Sequence, residues 1–133
     1  MFAEKLHNQM HELSIAMSMV EMATEECRRL GAERVTTLHL KLGLLSGVVK
    51  DALLFSYEIA CEGTPLQGSS LLIEEVPARV FCPRCASEKT LESIQLFACP
   101  TCGELTPEVI EGRELLVVAM EIEEKPQVAE AIA

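Results

Sequence analysis

Tryptophan is absent from the 133 residues, and only one tyrosine and four phenylalanines occur. So few rings argue against a nucleic-acid surface built on stacked bases. Basic residues are scarce as well: eleven Lys and Arg face twenty-one Asp and Glu, a formal charge of −10. A polyanion releases no counterions to such a surface, so nucleic acid is not an expected partner. The surplus carboxylates are read as solubilising. No apolar run approaches the roughly 20 residues that span a bilayer. The opening Met1-Phe2-Ala3-Glu4-Lys5-Leu6-His7-Asn8-Gln9 lacks the apolar centre of a secretion signal. No membrane contact is expected, and the cytoplasm is the expected compartment. Also missing are G-x-S-x-G, H-E-x-x-H and any Gly-rich phosphate loop, so no hydrolase or nucleotide site is in view.

The length allows one core, or one core with a small satellite. From 13 to 30, Leu13, Ala16, Met17, Val20, Ala23, Cys27 and Leu30 recur at three and four. That spacing predicts a helix with one apolar stripe, capped by Ser14 and stopped by Gly31. Over 35–42, Leu38, Leu40 and Leu42 alternate with Thr37, His39 and Lys41, which predicts a strand with one covered and one wet face. His39 reads as a surface histidine with no carboxylate beside it.

Gly43-Leu44-Leu45-Ser46-Gly47 breaks that strand, and Ser46 is placed to cap a second helix ending near Cys61. Val48, Ala52, Phe55 and Ile59 are its expected buried stripe. Strands are expected over 70–80 and 114–123, the latter with Leu116, Val118, Met120 and Ile122 on one face. Strand, helix, strand implies a right-handed parallel connection, and the last strand returns antiparallel. The fold class is therefore α+β: a small three-stranded mixed sheet with two helices on one face, interrupted by a separate module. The expected divisions are an N-terminal extension over 1–9, an α/β domain over 10–80 and 108–124, the inserted module over 81–107, and a frayed tail over 125–133.

Six cysteines in a cytoplasmic chain call for a reason other than disulfides. Cys27 and Cys61 lie in apolar helical patterns and read as buried thiols. Cys82-Pro83-Arg84-Cys85 and Cys99-Pro100-Thr101-Cys102-Gly103 are near-copies. Each turn sets two sulfurs on one side of a bend, Pro fixing φ and Gly103 permitting a left-handed exit. Facing each other, they present four thiolates at tetrahedral vertices, the arrangement zinc(II) takes in structural sites. Phe81 and Phe97 would supply a minimal core, and zinc the rest, on the order of 10–16 kcal/mol. Four sulfurs leave no water to activate. Iron also accepts four sulfurs, and the spacing does not separate the two metals. A redox pair of dithiols is the competing reading. It needs a helix after the first Cys, which the prolines oppose. A nucleic-acid ribbon would need basic residues, but Arg84 and Lys89 are outnumbered by Glu88, Glu92, Glu104 and Glu108.

His11-Glu12 ahead of a helix is by itself commonplace, with Glu at the positive end of the dipole. Yet Met10-His11-Glu12-Leu13-Ser14-Ile15-Ala16 resembles the opening of the HypA family, nickel metallochaperones of NiFe-hydrogenase maturation. The likeness continues through Lys41-Leu42-Gly43, Cys61-Glu62-Gly63 and both C-x-x-C pairs in order, over about residues 10–124. The resemblance implies a nickel(II) site at Met10, His11 and Glu12, with His11 the essential imidazole and Glu12 an auxiliary ligand. It implies a non-enzymatic carrier that hands nickel to a hydrogenase large-subunit precursor, with a HypB-like GTPase as partner, acting as a monomer or weak homodimer. Imidazole suits nickel, and an open site suits release. Two departures stand out. The family motif normally begins the polypeptide, so that the terminal amine joins the metal, whereas nine residues precede Met10 here; His7 is then a further candidate. Val49 also stands where many relatives carry an acidic residue, and Asp51 is two positions away.

Overall fold

The central element is β1 (Ala32–Gly43), hydrogen-bonded on both sides. The computed structural model describes residues 2–91, 97–105 and 108–126, with side chains from residue 11 onward. Along the chain follow α1 (Phe2–Arg29), β1, α2 (Lys50–Cys61), β2 (Ser70–Val76), β3 (Arg79–Cys82), β4 (Ser87–Thr90), β5 (Glu108–Glu111) and β6 (Leu115–Glu124). One sheet has the order β2-β1-β6, with β2 parallel and β6 antiparallel to β1. This is the expected mixed sheet with two helices. Val35, Leu38, Leu40 and Leu42 are buried against Ala16, Met19, Val20, Ala23 and Cys27 of α1 and Leu53, Tyr57 and Cys61 of α2.

Several sequence expectations are corrected here. α1 does not start at Ser14 but runs unbroken from Phe2, so His11 and Glu12 lie inside it. Met17 and Leu30 are exposed, and Met19 takes the buried position instead. α2 begins at Lys50 with Val49 as its N-cap, and Ser46 caps nothing in it. Ser46 Oγ accepts from the Val48 N–H instead, at 3.2 Å. The helix is also turned from the expected stripe. Leu53, Ser56, Tyr57 and Cys61 face the core, while Phe55 and Ile59 face solvent. Tyr57 tolerates this because its hydroxyl bonds Ser69 Oγ at 2.7 Å. His39 has a carboxylate neighbour after all: its Nε2 lies 2.7 Å from Glu121 Oε2 across the β1–β6 pair.

Strict alternation also fails in β6. Leu40 pairs with Val117 and His39 with Ala119, leaving Val118 as an extra residue. Such a bulge moves the following side chains to the opposite face. Val117, Met120 and Ile122 therefore pack on the core, while Leu116 and Val118 are exposed. The expected strand over 70–80 is two strands in different sheets. Pro77, with no N–H to donate, follows the end of β2, and β3 opens a second sheet of order β4-β3-β5. Its small core is Ala78, Val80 and Leu91 with Phe97, Val109 and Leu45; Phe81 is half-buried outside it. Leu45 comes from the β1–α2 loop, so the first sheet supplies part of the second core.

That loop is stitched to both strands leading to and from the second sheet. The Gly43 N–H donates to the Glu114 carbonyl at 2.8 Å, Leu44 to Val76 at 3.0 Å, and Leu45 to Gly112 at 2.6 Å. A Cβ on Gly43 would lie 2.1 Å from the Gly112 carbonyl oxygen, so only glycine allows the approach. Because the obstacle is backbone, Gly43→Ala should destabilise the protein by about 3 kcal/mol. The check is the urea midpoint of the purified protein. A midpoint equal to wild type contradicts this packing.

Candidate metal centre

β3 runs directly into Cys82, and the β3–β4 hairpin carries the first C-x-x-C turn. The Cys85 N–H points at Cys82 Sγ at 3.4 Å, which draws the two sulfurs to one side. The second turn is closed by Cys99 N–H to the Glu104 carbonyl at 2.7 Å and Gly103 N–H to the Cys99 carbonyl at 2.9 Å. The Ala98–Leu105 bridge closes the outside of that turn. All four sulfurs lie within 4.8 Å of one another. Cys82 Sγ is 3.6 Å from Cys102 Sγ, and Cys85 Sγ is 3.9 Å from Cys99 Sγ. A tetrahedron with metal–sulfur bonds of about 2.3 Å has edges of about 3.8 Å, so a four-sulfur metal fits.

The thiols are not equivalent. The backbone N–H of Cys102, and then that of Thr101, hold the Cys99 pKa down to about 6. The neighbouring Cys102 thiol, followed by burial and by Cys82 and Cys99, pushes Cys85 up to about 12. Crowded sulfurs cannot all ionise without a cation, and a divalent metal removes that conflict. Cys82 and Cys99 are buried, while Cys85 and Cys102 are half-buried. Cys27 and Cys61 are buried far along the helices, as expected of packing thiols; burial raises the Cys61 pKa.

His11 and Glu12 sit on α1 with opposite environments. His11 is exposed, while Glu12 is 0 % exposed. Glu12 Oε2 accepts the Val49 N–H at 2.8 Å, and Oε1 is buried with no hydrogen-bond partner among the described residues. Val49 is extended at φ −84°, ψ 117°, and offers no side-chain cap to α2. A carboxylate from another helix thus occupies the positive end of α2. Sequence reasoning missed this contact. The available signal was Val48-Val49 at a helix start, where no residue could cap its own helix. The side chains of Met10 and His7 lie outside the described residues. Asp51 is exposed in the first turn of α2.

The two knuckles differ at one backbone position. Gly103 follows the second pair at φ 79°, and Ala86 follows the first at φ 53°. Left-handed backbone costs Ala about 1 kcal/mol that Gly avoids. Ala86→Gly should therefore raise the stability of the metal-loaded module by about 0.5–1 kcal/mol, and Gly103→Ala should lower it by a similar amount. Thermal unfolding of the two variants checks this; shifts of the same sign contradict it.

Comparisons with known proteins agree with this architecture. Residues 10–122 match a family model described as hydrogenase/urease nickel incorporation, metallochaperone, hypA. The hydrogenase maturation factor HypA of Chloroflexus aurantiacus is 51 % identical over 112 residues, covering 84 % of this chain and 98 % of the relative. That of a Roseiflexus species is 48 % identical over 115 residues, covering 86 % and 94 %. The solution structure of the Ni metallochaperone HypA from Helicobacter pylori superposes with a TM-score of 0.57 at 16 % identity, over 86 % of this chain and 98 % of that one. Another solution structure of a HypA protein gives 0.63 at 18 %, over 87 % and 98 %. Such low identities speak only for the fold. The match over residues 10–122 and the near-half identity to full-length relatives carry the assignment: the chain belongs to the HypA family of hydrogenase-maturation nickel metallochaperones.

Proposed function

We propose that the chain carries nickel(II) at Met10, His11 and Glu12 and delivers it to a NiFe-hydrogenase large-subunit precursor, while Cys82, Cys85, Cys99 and Cys102 hold a resident zinc(II). The observation that supports the nickel reading is the buried Oε1 of Glu12, without a partner among the described residues and next in sequence to the exposed His11. A buried carboxylate oxygen with no donor is costly, and a cation is the partner that removes the cost. The exposed imidazole of His11, next in sequence, is a nitrogen ligand of the kind nickel favours. Because both residues lie within α1, their backbone amides belong to the helix, and the side chains are the donors available there.

Zinc in a closed four-sulfur shell has no open position, so its role is structural. Nothing in this assignment makes the protein a catalyst; the cargo is exchanged, not transformed. The family membership supports a HypB-like GTPase as a second partner, and the charge of −10 supports neither nucleic acid nor an anionic membrane surface. No described helix is long and apolar enough to cross a membrane. A cytoplasmic carrier, monomeric or weakly dimeric, fits these features.

His11→Ala should abolish saturable nickel uptake, with a loss of at least about tenfold in affinity, while the zinc content stays at one per chain. Equilibrium dialysis with elemental analysis reads both metals at once. Nickel affinity equal to wild type contradicts the assignment. Removing zinc with a strong chelator should unfold the second sheet and leave α1 and the first sheet intact. Circular dichroism together with amide exchange of β1 and β3 separates the two.

A further inference from the structure

Glu12 stands at a position that helical spacing assigns to the core. It extends the buried line of Ala16, Val20, Ala23 and Cys27 along α1, and its side chain is 0 % exposed. A carboxylate in that line needs a polar partner. Its partner is main chain: Oε2 accepts the Val49 N–H at 2.8 Å. The backbone around Val49 is itself fixed on both sides. The Val49 carbonyl accepts from the Leu53 N–H at 2.9 Å as α2 begins, and the preceding Val48 N–H donates to Ser46 Oγ at 3.2 Å. The Val49 side chain, by contrast, is 53 % exposed. Position 49 therefore acts on Glu12 through its backbone.

A free carboxylate turns about its last bond and offers a metal one oxygen or both. With Oε2 held, that turn breaks a hydrogen bond, and the remaining oxygen is Oε1, which has no partner among the described residues. His11 is of another kind, because an exposed imidazole changes rotamer freely. The two side chains leave the helix about 100° apart. One ion reaches both only if one of them moves, and the imidazole is the one free to do so. Groups that orient a metal ligand without touching the metal govern affinity nearly as strongly as the ligand does.

We propose that the Val49 main-chain N–H is the positioning group of the nickel site: it pins Oε2 of Glu12, so that the carboxylate meets the metal through Oε1 alone. The proposal rests on the assignment of nickel to His11 and Glu12 above. The site then consists of a fixed oxygen and a mobile nitrogen. One carboxylate oxygen holds the ion less firmly than two, and the positive end of α2 draws charge away from it. Both effects favour a cargo that leaves again.

The test removes the N–H and keeps every side chain: in the full, zinc-loaded chain an ester replaces the amide at Val49. Val49→Pro is a second variant, since φ of −84° lies near the range proline takes. Nickel affinity, read by equilibrium dialysis with the metal alone, should fall at least about tenfold in both, with zinc content unchanged. Infrared difference spectra with labelled glutamate supply a readout that a merely structural bond would not move. Nickel loading of wild type should give the wide splitting of the carboxylate stretches that marks one-oxygen binding, and the ester variant should narrow it. Glu12→Gln still accepts from Val49 but lacks the charged oxygen. It should keep the wild-type unfolding midpoint, lose nickel, and identify the Glu12 band by its loss. Affinity within about twofold of wild type in a folded ester or proline variant overturns the proposal. So does a narrow, two-oxygen splitting in wild type, a measurement that needs no variant to fold. His11→Ala is read alongside. If it and Glu12→Gln bind nickel as tightly as wild type, the delivery reading fails and the proposal with it; if they lose nickel and the ester variant does not, the positioning role alone fails.

Discussion

The contact between Glu12 and the Val49 N–H joins α1 to the start of α2. Withdrawing a carboxylate from water costs several kcal/mol. A hydrogen bond to a charged acceptor returns about 1.5–3 kcal/mol, and the positive end of a partly buried helix up to about 2. Oε2 is thereby anchored, while Oε1 has no hydrogen-bond partner among the described residues.

The loop that ends at Val49 also reaches the second sheet. Beyond Val49 toward the N-terminus, Leu45 inserts into the core of Ala78, Val80 and Leu91, and Gly43 abuts Gly112. The second sheet has few apolar residues of its own and draws one from the first. Its remaining cohesion comes from sulfur. Four thiols crowded within 4.8 Å cannot all ionise together until a cation occupies their centre. Metal and borrowed leucine together replace the apolar area that a short module cannot provide.

Much of this was legible in the residues. Leu38, Leu40 and Leu42 alternate because β1 has a core on one side only, and the two C-P-x-C turns announce their own geometry through local backbone chemistry. What escaped was set by distant parts of the chain. Val118 reads as one more step of an alternating strand, and only the pairing with β1 makes it a bulge. Phe55 and Ile59 form the more apolar-looking side of α2, yet Tyr57 and Ser56 are buried because Ser69 and the core accept their shape and polarity. Glu12 looks like an ordinary residue near a helix start; its partner is 37 positions away. The length of α1 was missed too: Ala3, Leu6 and Met10 continue the three-and-four spacing of Leu13 toward the N-terminus, but Ser14 drew the expected start inward.

Central to the account is a proposed division of labour: nickel on the imidazole of His11 and the carboxylate of Glu12 within α1, zinc alone among the sulfurs. X-ray absorption at the nickel and zinc edges of one fully loaded sample tests it most directly. The predicted spectra show imidazole scattering around nickel and four sulfurs around zinc. A four-sulfur shell around nickel, with zinc displaced from the cysteines, would contradict it.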